Sequence, residues 1–152
     1  MTEKNWSEIR EKILKEHGSI QLTASGLSMY PFLFVGDSLQ LQCVEFNSIR
    51  KGDIIAFKRN KNWVLHRVMH ISKDYILTKG DSKFSYDEKV TTNTFVGKLT
   101  KVTRKKKSID YSQPISSFRF WLITNRLSTA IFWFLKLIVR VQKKIMALII
   151  PS

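Results

Sequence analysis

Residues 50–72 read RKGDIIAFKRNKNWVLHRVMHIS. Ile54–Lys58 is an apolar run bounded by Gly52-Asp53 before it and by the polar Asn60 to Asn62 after it, and Val64–Ser72 then resumes the apolar texture. Short runs rich in β-branched and aromatic residues, set between turn signals, are written for strands. The same texture extends from Ser19 to about Val102, with further turn signals at Gly36-Asp37, Gly80-Asp81 and Gly97. The expected strands are Ile20–Thr23, Ser38–Gln42, Ile54–Lys58, Val64–Ser72, Tyr75–Lys79 and Thr94–Thr103. The fold class is therefore mainly β, and a small, partly closed β-barrel would dispose of the strand edges.

Before this core, Asn5 with Glu8 three residues later looks like a helix start. Trp6, Ile9, Ile13 and Leu14 recur at helical spacing, and Gly18 provides a stop. A short amphipathic helix is expected over 6–17. After the core comes the basic run Arg104 to Lys107, then Pro114 with serine neighbours, which puts a boundary near Ser108. The expected organisation is a domain over 1–107, its β core spanning about 19–103, followed by a tail over 108–152.

The tail reads as helix in one or two pieces from about 117 to 150. Arg119, Arg126, Lys136, Arg140, Lys143 and Lys144 deny it the roughly 20 uncharged residues that a membrane span needs. Lys136, Arg140, Lys143 and Lys144 fall on one side, while Ile131, Leu135, Ile138, Val139, Ile145 and Leu148 fill much of the other. That pattern suits an amphipathic helix lying on a membrane surface; the alternative is packing against the domain or a partner subunit.

A chain of 152 residues with 43% apolar side chains fits one domain with a real core. The net charge of +14 predicts an anionic partner, and its distribution narrows the choice. Residues 101–152 carry eleven Lys or Arg against Asp110 alone, giving +10, whereas residues 1–100 carry fifteen basic and eleven acidic side chains, giving +4. In the tail the cations are interleaved with Trp, Phe, Ile and Leu, which suits lipid and argues against nucleic acid. Cys43 is the only cysteine, so an intrachain disulfide and a cysteine-based metal site are excluded. The N-terminal MTEKNWSEIREKILKEHG has no long apolar core, so neither a signal peptide nor a span is expected there, and the cytoplasmic side is the default location.

The stretch carrying chemistry is Ser25 to Leu41, SGLSMYPFLFVGDSLQL. A serine becomes a nucleophile only on an accessible turn, with a base in reach to take its proton. Gly26 allows close backbone approach before Ser28, Pro31 fixes the turn after it, and Met29 can plug into the domain body. By composition alone such a serine is more often a loop residue. Three further segments accompany it in order: RKGDIIAFKRN (50–60), WVLHRVMHI (63–71) and YILTKGDSKFSYD (75–87), with Phe95-Val96-Gly97-Lys98 behind them. His70 lies four residues past His66, but on a strand that separation is about 13 Å, too far for one metal. His17, in the last turn of the expected helix, is placed to interact with the helix dipole.

Together these segments resemble the S24/S26 serine peptidases, the superfamily of signal peptidase I and LexA-like proteins. The serine box is similar to that family's Gly-x-Ser-Met-x-Pro pattern leading to Gly-Asp. His66-Arg67 resembles the branch of archaeal, endoplasmic-reticulum and sporulation-type signal peptidases, where the base is histidine and not lysine. The resemblance implies a peptidase domain with Ser28 as nucleophile, His66 as base and Asp87 orienting the imidazole. Asp81 is the alternative acid, or else a group holding the loop.

Many signal peptidases place a serine two residues before the nucleophile to help bind the oxyanion; here that position is Gly26, so the oxyanion would rest on backbone donors around Gly26 and Ser28. No cofactor and no metal is implied. The expected partners are a leader or precursor peptide as substrate, a membrane surface through residues 117–150, and an exporter or other maturation partner. Two other readings remain open: a LexA-like self-cleaving protein, and a non-enzymatic basic membrane-binding protein.

Overall fold

A computed structural model of the chain describes residues 3–60 and 62–113, together with position 134. Along the chain run α1 (Glu3–His17), β1 (Ser19–Thr23), β2 (Ser38–Gln42), β3 (Ile54–Arg59), β4 (Asn62–Ile71), β5 (Ile76–Lys79), β6 (Phe95–Arg104) and β7 (Lys107–Asp110). The strands form one antiparallel sheet in the order β1-β2-β6-β3-β4-β5, with β7 added to β6.

The apolar run of β3 shows why a continuous rather than alternating pattern stands here. Ile54 and Ala56 face a core built with Leu14, Leu39, Leu41, Val96, Leu99 and Val102. Ile55 and Phe57, on the other face, join Ile49, Val68, Ile76 and Val90. Successive side chains of a strand point to opposite faces, so a strand with a core on each side must be apolar throughout. α1 covers the first core through Leu14, which is 1% exposed, and stops where Gly18 takes φ 71°. The helix begins at Glu3, before the expected start, so Asn5 lies inside it and does not cap it.

Two strand ends differ instructively from expectation. The β3–β4 turn is a two-residue hairpin, with Arg59 opposite Asn62 and Asn60 at φ 56°, a left-handed conformation asparagine tolerates. The basic run expected to end the β region is instead a second such hairpin: Arg104 pairs with Lys107 across Lys105 (φ 45°) and Lys106 (φ 67°). The sheet thereby continues to Asp110, through the position expected to begin the tail.

The sheet is not closed, because β1 and β5 stand at its ends and do not pair. These strands are five and four residues long, and the chain leaves each of them into a loop. The loops meet instead of the strands: the Ser82 N–H donates to Ser28 O (2.9 Å), and its Oγ donates to Leu27 O (2.9 Å). The expected helical tail over 117–150 lies outside the described residues. Among the described residues, no helix is long and apolar enough to cross a membrane.

Candidate active site

Ser28 sits on the long connection between β1 and β2. The neck of that loop is closed by Ala24 N–H to Asp37 O (2.9 Å) and Gly36 N–H to Ala24 O (2.8 Å). Arg104 of β6 clamps it from the side, donating to both Asp37 carboxylate oxygens (2.7 and 2.6 Å) and to Phe32 O (2.9 Å). Met29 and Leu33, each 3% exposed, anchor the loop in the first core. Ser28 itself is half-buried and reachable from solvent.

His66 occupies the middle of β4 opposite Ile55, buried, with Phe57 edge-on at 6.1 Å between ring centroids. Its Nε2 lies 2.9 Å from Ser28 Oγ, and its Nδ1 lies 2.6 Å from Asp87 Oδ2. The same carboxylate oxygen accepts from Thr78 Oγ1 (2.8 Å), and Asp87 Oδ1 faces Arg59 Nη1 at 3.3 Å. Burial works to raise the Asp87 carboxyl, but the hydrogen bonds and charges of His66, Thr78 and Arg59 outweigh it and hold it below its ordinary value. An ionised carboxylate only accepts, so Nδ1 carries the proton and a neutral imidazole turns its Nε2 lone pair to the Ser28 hydroxyl.

Ser28, His66 and Asp87 are thus brought together, and Asp81 is not in contact with the imidazole. Asp81 forms a two-pronged pair with Arg67 (2.8 and 2.8 Å), whose Nη1 also donates to Gly52 O (2.9 Å). Burial pushes the Asp81 carboxyl up, against the opposing pull of the permanently charged Arg67. Asp81 therefore holds the loop to the sheet.

Gly26 is exposed, and a Cβ there would meet nothing within 4 Å. Among the described residues no hydrogen bond uses the Gly26 or Ser28 N–H, so both remain available to a developing oxyanion. The bulge between Val68 and His70 breaks the alternation of β4 and leaves His70 exposed. Among the described residues, no group of three His, Cys, Asp or Glu is arranged to hold a metal.

The sequence assigns no role at the site to Arg59, places Thr78 only within the YILTKGDSKFSYD segment, and marks Gly80 only as a turn residue. Gly80 is required by space: a Cβ there would stand 2.7 Å from Ser28 O and 3.0 Å from His66 Nε2. In the sequence Arg67 stands out only as the neighbour of His66. A legible sign did exist in the three Gly-Asp turns. All three aspartates are buried (Asp37 2%, Asp53 4%, Asp81 6%), and each is paired with a distant cation: Arg104, Lys98 and Arg67 respectively.

In series, a hydroxyl, an imidazole and a carboxylate are the groups that nucleophilic acyl transfer requires. Neither a protein-family model nor a curated protein sequence matches this chain.

Proposed function

We propose that the protein is a serine endopeptidase that cleaves a leader or precursor peptide, built on a peptidase domain of the S24/S26 kind. The observation that carries this reading is the continuous chain from Asp87 through His66 to Ser28, at 2.6 and 2.9 Å. The four sequence boxes that resemble this superfamily support it from a separate direction, because a likeness of sequence does not depend on the distances between these side chains.

In this reading Ser28 Oγ attacks the scissile carbonyl carbon while His66 Nε2 takes its proton. Asp87 stabilises the imidazolium, and the carbonyl oxygen, now an oxyanion, is received by the free N–H groups near Gly26 and Ser28. Collapse of the intermediate passes the proton from His66 to the leaving amine. Water then releases the acyl group by the same route. The basic, apolar segment 117–150 would hold the enzyme, as an amphipathic helix, at the cytoplasmic surface of a membrane, beside an exporter or other maturation partner.

A fluorophosphonate probe, which needs only an activated serine, tests the chemistry without a known substrate. Wild-type protein is expected to be labelled on Ser28, with labelling lost in Ser28→Ala and His66→Ala. Cleavage of precursor peptides, read by mass spectrometry, should disappear with it. A Ser28→Ala protein that still cleaves would end this reading.

A further inference from the structure

We propose that Arg59 is a positioning residue whose charge, acting through Asp87, extends the range in which His66 works as a base to lower pH. The inference rests on the Ser28–His66 reading above and deepens it by assigning a control on that site. Arg59 is the last residue of β3, beside the hairpin turn, and its Nη1 lies 3.3 Å from Asp87 Oδ1. The other carboxylate oxygen is already occupied by His66 and Thr78. Asp87 therefore faces two groups that compete for its negative charge: a guanidinium that is always cationic, and an imidazole that is cationic only when protonated.

The other charges around the pair are committed elsewhere or stand further off. Arg67, beside His66 on β4, is paired with Asp81 and Gly52 O. Lys79 on β5 acts on Asp81, and Lys58, next to Arg59 on β3, pairs with Glu11 of α1. The stem of Lys83 passes over Gly80 on the loop that leads to Asp87. Asp81, which also acts on His66, is neutralised by Arg67. Arg59 is thus the guanidinium in direct contact with the orienting carboxylate. By drawing on that carboxylate, and by its own proximity, its positive charge opposes formation of the imidazolium.

The test compares Arg59→Gln, which keeps hydrogen-bonding groups but loses the charge, with Arg59→Lys, which keeps the charge. Fluorophosphonate labelling rates across pH give the acid limb for full-length protein. In Arg59→Gln the limb should move up by about 0.5–1 unit, the upper part of the range for a neighbouring charge being discounted because Arg59 is 46% exposed. Below the limb that is a loss of roughly threefold to tenfold. Arg59→Lys should keep the wild-type limb, and high salt should shrink the difference between wild type and Arg59→Gln.

A purely structural tether would lower the rate at every pH without moving the limb; an unmoved limb in Arg59→Gln, or an equal shift in Arg59→Lys, overturns the proposal. NMR titration of the His66 ring in wild type and Arg59→Gln gives the same comparison without activity. If Ser28→Ala still cleaves, the enzymatic reading fails, yet this titration still decides whether Arg59 controls His66.

Discussion

Gly80→Ala probes the contact between the turn that carries Ser28 and the loop that follows β5. The added Cβ would stand 2.7 Å from the Ser28 carbonyl oxygen, 3.0 Å from His66 Nε2 and 3.0 Å from Lys83 Cγ. Lys83 is exposed and can swing aside. The Ser28 carbonyl is less free, because it accepts from Ser82 N–H (2.9 Å), and the one proton on Ser82 Oγ is shared between Leu27 O (2.9 Å) and Ser28 O (3.1 Å).

Ordinary carbon–oxygen contacts begin near about 3.3 Å, so the two segments must part by roughly 0.6 Å. Displacing a reacting group by 1 Å costs about a hundredfold in rate, which scales to about a tenfold to thirtyfold loss here. Overpacking of this kind costs about 1–3 kcal/mol of stability, part of which is offset because alanine restricts the unfolded chain. The assay is paired: the fluorophosphonate labelling rate of Ser28, and urea denaturation of the same sample. The expected result is a slowed but folded protein. Labelling at the wild-type rate would show that the 2.7 Å approach does not fix the position of Ser28, and the argument for Gly80 would fall.

Arg67→Met leaves Asp81 buried without its partner, and about 3–5 kcal/mol of stability should be lost in urea denaturation; a loss under about 1 kcal/mol would contradict a closed Arg67–Asp81 pair. Replacing Lys105-Lys106 by Asn-Gly should stabilise the protein by about 1–2 kcal/mol in the same assay, since both lysines hold positive φ. Labelling of Ser28 should be unaffected, and no gain in stability would contradict strain at this turn. Asp37 is held below its ordinary value by Arg104 and by the Phe34 N–H, although burial opposes them. The unfolded chain then binds more protons on acidification, so this contribution is full above roughly pH 5 and fades towards pH 3 and below. Asp37→Asn should flatten stability against pH over that window, and an unchanged slope would count against the clamp.

How much of this was legible in the sequence depended on whether the signal was local. Turn residues between apolar runs place β1 to β6 within a residue or two, because Gly-Asp and the Asn60 region carry recognisable turn chemistry. β7 was hidden, since Lys105-Lys106 are not residues that favour left-handed turns and KSID is too polar to announce a strand. The open sheet could not be read either: whether β1 meets β5 depends on accumulated curvature, not on any one segment. At the site, the boxes name Ser28, His66 and Asp87, with Asp81 left as the alternative acid. Spacing alone does not separate the two aspartates, because which one meets the imidazole rests on which of them Arg67 captures. Arg59 and Thr78 reach Asp87 through strand register, which spacing alone does not reveal.

The three ion pairs at the Gly-Asp turns, each with a buried aspartate, join strands that are easily misaligned. The ladders β2–β6, β3–β6 and β4–β5 each contain a shift of register, at Gln40/Leu41, Ala56/Phe57 and Val68/His70. A strand that slips by one residue turns every side chain to the opposite face. Here such a slip would also carry Arg104, Lys98 or Arg67 away from its aspartate and leave a buried carboxylate without its partner. Since such a pair adds little net stability over apolar residues but leaving its buried aspartate unpaired is costly, these pairs penalise wrong register more than they reward the right one. The alignment that neutralises all three is also the one that brings the β1–β2 loop, β4 and the loop after β5 to one point.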